Sequence, residues 1–358
     1  MHVSRQRRDI FARVQIDMRY AALLTLGLCV IGVVAYIHQQ APPGEYTQSS
    51  YWQSRISADG AKSAHATFDE RVSKLSIADQ HFAAHAFGSA LYTEMGENGF
   101  PFCDQLFEAG CYHAFLARAI LEHGLTHVGL LRDVCFKALG NALDTISCEH
   151  GIGHGILAYM GYATTSLERA LETCATLQSA SPVKGCLGGV FMEYDIQVMR
   201  DSASPVLFTG ENVLGACSSV SNDLKPACFF WLNQWWGNHM KHGSFTESLD
   251  NFKKLGSYCE RAATSTRLKD ACYKGIGYWA TPEADFDVTD TARLCEAAST
   301  SSHDRVSCWS VAAEALQGTL DTENETNLCE GLTGAALDEC RERVTSAIGV
   351  LDESVWQL

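Results

Sequence analysis

From about Ala61 onward, apolar residues return every three or four positions, the spacing of helices that each bury one face. Alternating apolar and polar runs, which half-buried strands require, are few. Upstream the pattern differs twice. Ala21 to Ile37 is a near-continuous apolar run of about 17 residues, at the short end for a membrane-spanning helix. Residues 38–60 then turn polar around Pro42-Pro43-Gly44 and read as a stalk. Further on, Pro101, Pro182, Pro205, Pro226 and Pro282 fall where one helix would give way to the next. The clearest unit is Thr246 to Ala280. TESLDNFKKLGSYCERAAT reads as one helix and LKDACYKGIGYWA as the next, with a polar turn at Ser265-Thr266.

Cysteines punctuate this helical pattern. Of 15 in the chain, fourteen pair off in sequence: Cys103 with Cys111, Cys135 with Cys148, Cys174 with Cys186, Cys217 with Cys228, Cys259 with Cys272, Cys295 with Cys308 and Cys329 with Cys340. Partners lie 8 to 13 residues apart, and successive second cysteines recur every 32 to 44 residues. Cys259 and Cys272 sit about equally far from the turn between their helices. Antiparallel packing would set them opposite each other, as a disulfide needs. Zinc is a poor fit to these pairs, because no Cys-x-x-Cys occurs. A unit repeating at this period predicts an all-α fold: an α-solenoid of about seven to eight αα-hairpin repeats, one disulfide per hairpin, preceded by a single transmembrane helix. The implied segments are a basic tail (1–20), a signal anchor (21–37), the stalk (38–60), the repeat domain (61–350) and a C-terminal tail (351–358).

Charge adds a direction. Arg5, Arg7, Arg8, Arg13 and Arg19 precede the apolar run, opposed only by Asp9 and Asp17. That bias predicts a cytoplasmic N-terminus, with the remainder across the membrane. The long basic segment and the lack of a small-x-small cleavage site favour a retained anchor over a cleaved signal peptide. Disulfides persist in periplasmic, lumenal or extracellular compartments, which agrees with that direction. Beyond the anchor, 22 basic residues face 40 acidic ones. Such a surface disfavours nucleic acid and anionic lipid as partners. Asn324-Glu325-Thr326 is a lone glycosylation sequon.

The candidate chemistry lies in histidines. At about 100° per residue, each second cysteine fixes the phase of its helix. Positions three, four and seven later, such as Gly151, Ile152 and Gly155, are expected to face the first helix of the hairpin, as are Gly189 and Gly275. Positions two and six point away from it. His113 occupies such a slot, and His150 and His154 fill both slots in the next unit. Upstream, DQHFAAHAFGSALY matches CEHGIGHGILAYMGY, with Asp79 in place of Cys148, so His81 and His85 fall in the same slots. Five of six equivalent positions are histidine, Ala117 being the sixth. Later units place Gly188 and Met192, Phe230 and Gln234, Lys274 and Tyr278, Ser310 and Glu314, and Glu342 and Ser346 there.

Histidines at i and i+4 share a helical face and can hold one ion. Neighbouring helices about 8–10 Å apart let His113 approach either pair. His81 and His150 are two layers apart, so a common ion asks for tight curvature. The expected ligands are therefore His81, His85, His113, His150 and His154, for a divalent zinc, iron or copper ion. An open coordination position would activate water or oxygen, with no preference for hydrolysis or redox chemistry. Asp195 and Glu149 are candidate supporting carboxylates. Glu149-His150-x-x-x-His154 does not follow the His-Glu-x-x-His order of zinc proteases. The competing reading makes the histidines structural contacts between repeats, in a non-enzymatic scaffold binding a protein or peptide in its groove. Concentration of the histidines in three units favours the metal. Lesser candidates are His123 with His127, His239 with His242, and the aromatic cluster Trp231, Trp235 and Trp236.

One bridge per αα-hairpin at this period resembles the cysteine-rich Sel1-like (TPR-like) repeat proteins, over about residues 100–345. Leu255-Gly256-Ser257-Tyr258 echoes their consensus, although most units depart from it and the cysteine spacing here is longer. The resemblance implies a disulfide-stapled superhelix with a binding surface. It implies nothing about the histidines.

Overall fold

The computed structural model describes residues 43–104, 109–138, 142–177, 183–199, 212–240 and 243–317, with a few isolated positions beside these. The expected anchor (21–37), the basic tail, the sequon and the C-terminal tail lie outside the described residues. So do Cys329 and Cys340, the seventh expected pair. Among the described residues, no helix is long and apolar enough to cross a membrane.

All regular structure described is helical. In chain order the α-helices are α1 (Ser49–Asp59), α2 (Ala61–Val72), α3 (Ile77–Met95), α4 (Gly110–His123), α5 (Val128–Ala138), α6 (Ala142–Met160) and α7 (Thr164–Ala175). They continue with α8 (Cys186–Tyr194), α9 (Lys225–Asn238), α10 (Phe245–Ala262), α11 (Thr266–Glu283), α12 (Val288–Ala298) and α13 (Ser302–Gln317). Side-chain caps mark several starts. Ser76 accepts from the backbone N–H of Asp79, and Ser265 from that of Leu268. Ser244 and Glu247 form a reciprocal capping box at α10. Gly124 and Gly161, at φ +75° and +83°, stop the two helices that carry His113 and the His150/His154 pair.

Six of the expected disulfides are present: Cys103–Cys111, Cys135–Cys148, Cys174–Cys186, Cys217–Cys228, Cys259–Cys272 and Cys295–Cys308. Their Cα–Cα separations run from 5.3 Å at Cys103–Cys111 to 5.7 Å at Cys135–Cys148. Four join two α-helices: Cys259 on α10 meets Cys272 on α11, for example, and Cys295 on α12 meets Cys308 on α13. The other two depart from the expected hairpin. Cys103, partner of Cys111, directly follows the 3₁₀ helix Gly96–Phe102. Cys217 lies in the 3₁₀ helix Gly215–Ser218, while its partner Cys228 is on α9. Pro101 lies within the first of these 3₁₀ segments, where it removes a backbone donor.

The second helices form the interior row. α3 packs on α4, α4 on α6, α6 on α8, α8 on α9, α9 on α11 and α11 on α13. Glycines set their spacing. A Cβ at Gly153 would overlap the Cys186 carbonyl on α8, and one at Gly189 would overlap the His150 carbonyl on α6. This corrects the expected phase: Gly151, Gly155, Gly189 and Gly275 face the preceding second helix, not the first helix of their own hairpin. Three residues turn the helix by about 300°, so position three lies about 60° to one side of the cysteine. The disulfide takes one direction and the glycine the next helix beside it.

The stalk boundary also changes. Residues 49–59, within the expected 38–60 segment, form α1, and Trp52 is fully buried. Its ring meets Tyr46, Phe68 and Phe87, while its Nε1 donates to the Tyr46 carbonyl at 2.7 Å. One large aromatic outweighs the polar composition around it.

Candidate metal centre

Helices α3, α4 and α6 bring the five stripe histidines together. His81 and His85 lie one turn apart on α3, His113 on α4, and His150 and His154 one turn apart on α6. Two groups of three result. His81, His85 and His113 form one, and His113, His150 and His154 the other, each with ligand atoms within 4.8 Å of one another. His113 belongs to both. Its ring centroid lies 5.5 and 5.3 Å from those of His81 and His85, and 5.0 and 4.9 Å from those of His150 and His154.

Three of these rings are oriented from behind. His81 Nδ1 lies 3.0 Å from the Phe107 carbonyl, and His150 Nδ1 lies 2.6 Å from the Lys184 carbonyl. A carbonyl only accepts, so Nδ1 carries the proton and the Nε2 lone pair points inward. His154 Nδ1 meets the Glu193 carboxylate at 2.9 Å, and Glu193 also accepts from Tyr162 Oη at 2.7 Å. Carbonyl or carboxylate support behind the far ring nitrogen is the usual arrangement for metal-ligating histidines. At His81 it comes from a strained loop: Phe107 and Ala109 sit at φ 55° and 56°, a region that costs non-glycine residues energy.

The inward nitrogens are short of partners. Nε2 of His150 and Nε2 of His154 are both buried and accept no hydrogen bond. Leaving such atoms unmet costs about 1–3 kcal/mol each. In the other group, His81 Nε2 lies 3.0 Å from His85 Nε2, which lies 3.4 Å from His113 Nδ1. Tetrahedral ligation at the usual metal–nitrogen length of about 2.0–2.1 Å separates ligand nitrogens by roughly 3.3 Å.

Electrostatics disfavour the charged form at three of the five rings. Burial, and then the other histidines, hold the imidazoles of His85 and His113 well below the ordinary histidine range. The same two causes push His150 down to about 3, against a smaller opposing effect of its bond to Lys184. Burial would raise the Glu193 carboxyl, but hydrogen bonds from His154, Tyr162 and Gln197 hold it below its ordinary value. A ligating histidine must be neutral, so no proton needs to leave these rings before one lone pair binds metal.

Small residues admit the rings. A Cβ at Gly188 would press on Trp231 and on His150 Nδ1, and one at Gly110 on Ala84, the His81 carbonyl and the His85 ring. Trp231 closes the far side, its ring centroid 5.4 Å from that of His150 and its Nε1 bonded to the Val183 carbonyl. Trp235 and Trp236 are buried too, so the aromatic cluster is core. A cleft of about 190 Å³ reaches the histidines between Ser89, Ala117, Arg118 and Glu193. Ala117, the one slot of six without histidine, lies at this opening. A second cleft of about 580 Å³ shares His85, Ser89 and Ala114 with it and extends to Phe82 and Asp79.

The other candidates fall elsewhere. Glu149 and Asp195 are both buried, but neither belongs to the two histidine groups. The carboxylate on the cluster is Glu193, seven residues after Cys186 rather than nine. Position seven lies about 340° round the helix, on the face expected to meet the first helix of the hairpin, so the histidine phase does not point to it. The rings of His123 and His127 meet tilted at 42° with centroids 4.7 Å apart, and His127 Nε2 pairs with Glu97 at 2.7 Å. His239 is exposed, and His242 lies outside the described residues. One further group went unread in the sequence: His65 Nε2 lies 3.1 Å from Asp104 and its Nδ1 lies 3.3 Å from Asp69. There the hydrogen bond to Asp104 raises the imidazole, with desolvation opposing and the Asp69 charge assisting. The group ties α2 to the loop before α4.

Comparison with known proteins returns no family model, no curated protein and no solved structure that matches this chain. The likeness to Sel1-like repeats rests on the period of the cysteine pairs, one per expected hairpin, and on the fragment Leu255-Gly256-Ser257-Tyr258. What is shown is a disulfide-rich protein, all-helical in its described residues, with buried histidine groups that could hold a metal ion.

Proposed function

We propose that the chain is a single-pass membrane protein whose disulfide-stapled α-solenoid, on the translocated side, holds a transition-metal centre in its N-terminal repeats. The metal would act on a small molecule admitted by the cleft at Ala117. One observation carries this reading: two buried Nε2 atoms, of His150 and His154, accept no hydrogen bond, while Nδ1 of each ring is anchored. Histidines kept only for packing between helices would leave that cost unexplained. An ion removes it, and the neutral imidazoles around it suit zinc, copper or iron. A ligand set of three nitrogens leaves a coordination position open, and 190 Å³ is smaller than the usual pocket of about 300–1,000 Å³ for drug-sized ligands. Water, dioxygen or a substrate of a few heavy atoms fits that volume.

A purely scaffolding protein would spread its signature residues over every repeat. Here the histidines occupy α3, α4 and α6. The anchor rests on the Ala21–Ile37 run and its five arginines; the translocated compartment, on those and the disulfides.

Elemental analysis of the full chain purified in detergent tests the metal. The chain should retain zinc, copper or iron in stoichiometric amount. The double substitution His150→Ala with His154→Ala should lower that content, while His123→Ala leaves it unchanged. No bound metal in the wild-type chain, with unaltered stability in the double variant, would sink the proposal.

A further inference from the structure

We infer that the centre holds two metal ions, with the imidazole of His113 shared between them. This deepens the reading above and rests on it. The five histidines do not form one group around a single point. They fall into two groups of three that have His113 alone in common.

The chain itself explains the division. His81 and His85 descend from α3, His150 and His154 from α6, and α4 packs against both helices. His113 is the stripe histidine of α4, buried at 5% exposure, and its slot mate is Ala117. His113 Nδ1 faces the α3 pair, 3.4 Å from His85 Nε2. The other nitrogen of an imidazole points to a different side of the ring, which leaves Nε2 for the α6 pair. Each ion then has three imidazole nitrogens: His81, His85 and His113 Nδ1 for one, and His150, His154 and His113 Nε2 for the other.

Sharing has a definite chemistry. A neutral imidazole has one lone pair and one N–H. To bind two ions, His113 loses that N–H proton to solvent, and both ring nitrogens then donate a lone pair. Two metal–nitrogen bonds form, one N–H bond breaks, and no electron changes hands. The resulting imidazolate charge, with Glu193 behind His154, offsets part of the charge of two dications in a buried site. The ion on the α3 side lies nearer the larger cleft, which reaches His85 but not His150 or His154. The smaller cleft touches His85, His113 and His154 and so reaches both groups. A substrate entering there would meet both ions.

The test uses Cu²⁺ alone as the probe, on the metal-stripped full chain in detergent, with copper counted after removal of excess and the spin measured by electron paramagnetic resonance. Two copper ions per chain, with a spin signal well below that of two isolated ions because the imidazolate couples them, is the expected result. His113→Gln should restore the uncoupled signal of whatever copper remains. His81→Ala with His85→Ala, and separately His150→Ala with His154→Ala, should each leave one uncoupled copper. These two variants keep the test decisive if His113→Gln fails to fold. Two copper ions with the full uncoupled signal in the wild type would overturn the bridge. One copper ion per chain would overturn the two-ion centre while leaving a metal site standing. None would overturn the metal site itself.

Discussion

His150 shows how much one residue's surroundings decide. Its Nδ1 is held by the Lys184 carbonyl, its ring is buried against Trp231, and burial drives its pKa down to about 3. In the unfolded chain an imidazole titrates near 6.5. A group with a depressed folded pKa contributes stability that is present above the unfolded value and is lost as pH falls through the window between the two. His85 and His113 shift in the same direction for the same cause. Thermal melts of the metal-stripped chain should therefore show a midpoint that falls steadily from pH 7 toward pH 4. A flat or rising midpoint would mean that the folded cluster already carries the protons. Glu193 permits a second check at this scale. Glu193→Ala removes the acceptor behind His154, and loss of such a partner typically weakens metal affinity about 10–100-fold. Competition titration with a chromophoric chelator reads that change directly. An unchanged affinity would assign Glu193 to Tyr162 and to packing instead.

Among the elements, α6 and α8 interlock from both sides, through Gly153 against the Cys186 carbonyl and Gly189 against the His150 carbonyl. Gly153→Ala would force a methyl into backbone, and overpacking of this kind costs about 1–3 kcal/mol. Gly129, on the exposed face of α5, has open space where its Cβ would go. There the same change should stabilise by up to about 1 kcal/mol, the helix preference for alanine. Denaturant melts of both variants compare the two sites, and equal effects would contradict the interlock. The sequence already held the residues of this contact but not its direction. Glycines three positions after a cysteine were legible as close approach. Which helix approached was not, because the position-three side chain lies about 60° from the cysteine and two neighbours flank that direction. The five histidines were legible for a related reason: one period, read from Cys148 and Cys111, placed them all on one face. Glu193 escaped because position seven after Cys186 lies about 340° round the helix, on the face assigned to the first helix of the hairpin rather than to the stripe. Trp52 escaped because its polar neighbours hide a single buried anchor.

For the molecule as a whole, the disulfides were the most legible feature, since each pair is local in sequence and needs only a short reversal of the chain. On the loop-entropy account each such bridge stabilises by about 3 kcal/mol. Replacing Cys135 and Cys148 together by serine should lower stability by about 2–4 kcal/mol. It should also loosen α6, so that metal affinity falls with it. Melts and metal titration of that variant read both effects, and a loss of stability with intact metal binding would detach the bridge from the site. How tightly the interior row brings α3, α4 and α6 together could not be read from spacing, because it depends on glycine contacts between helices that no single period encodes. Those contacts are what join two histidine pairs two layers apart through His113. X-ray absorption at the edge of the bound metal tests the central claim most directly. The histidine centre predicts a first shell of nitrogen at about 2.0–2.1 Å with the outer-shell pattern of imidazole rings. A sulfur shell at about 2.3 Å, or a shell of oxygen alone, would place the metal elsewhere and contradict it.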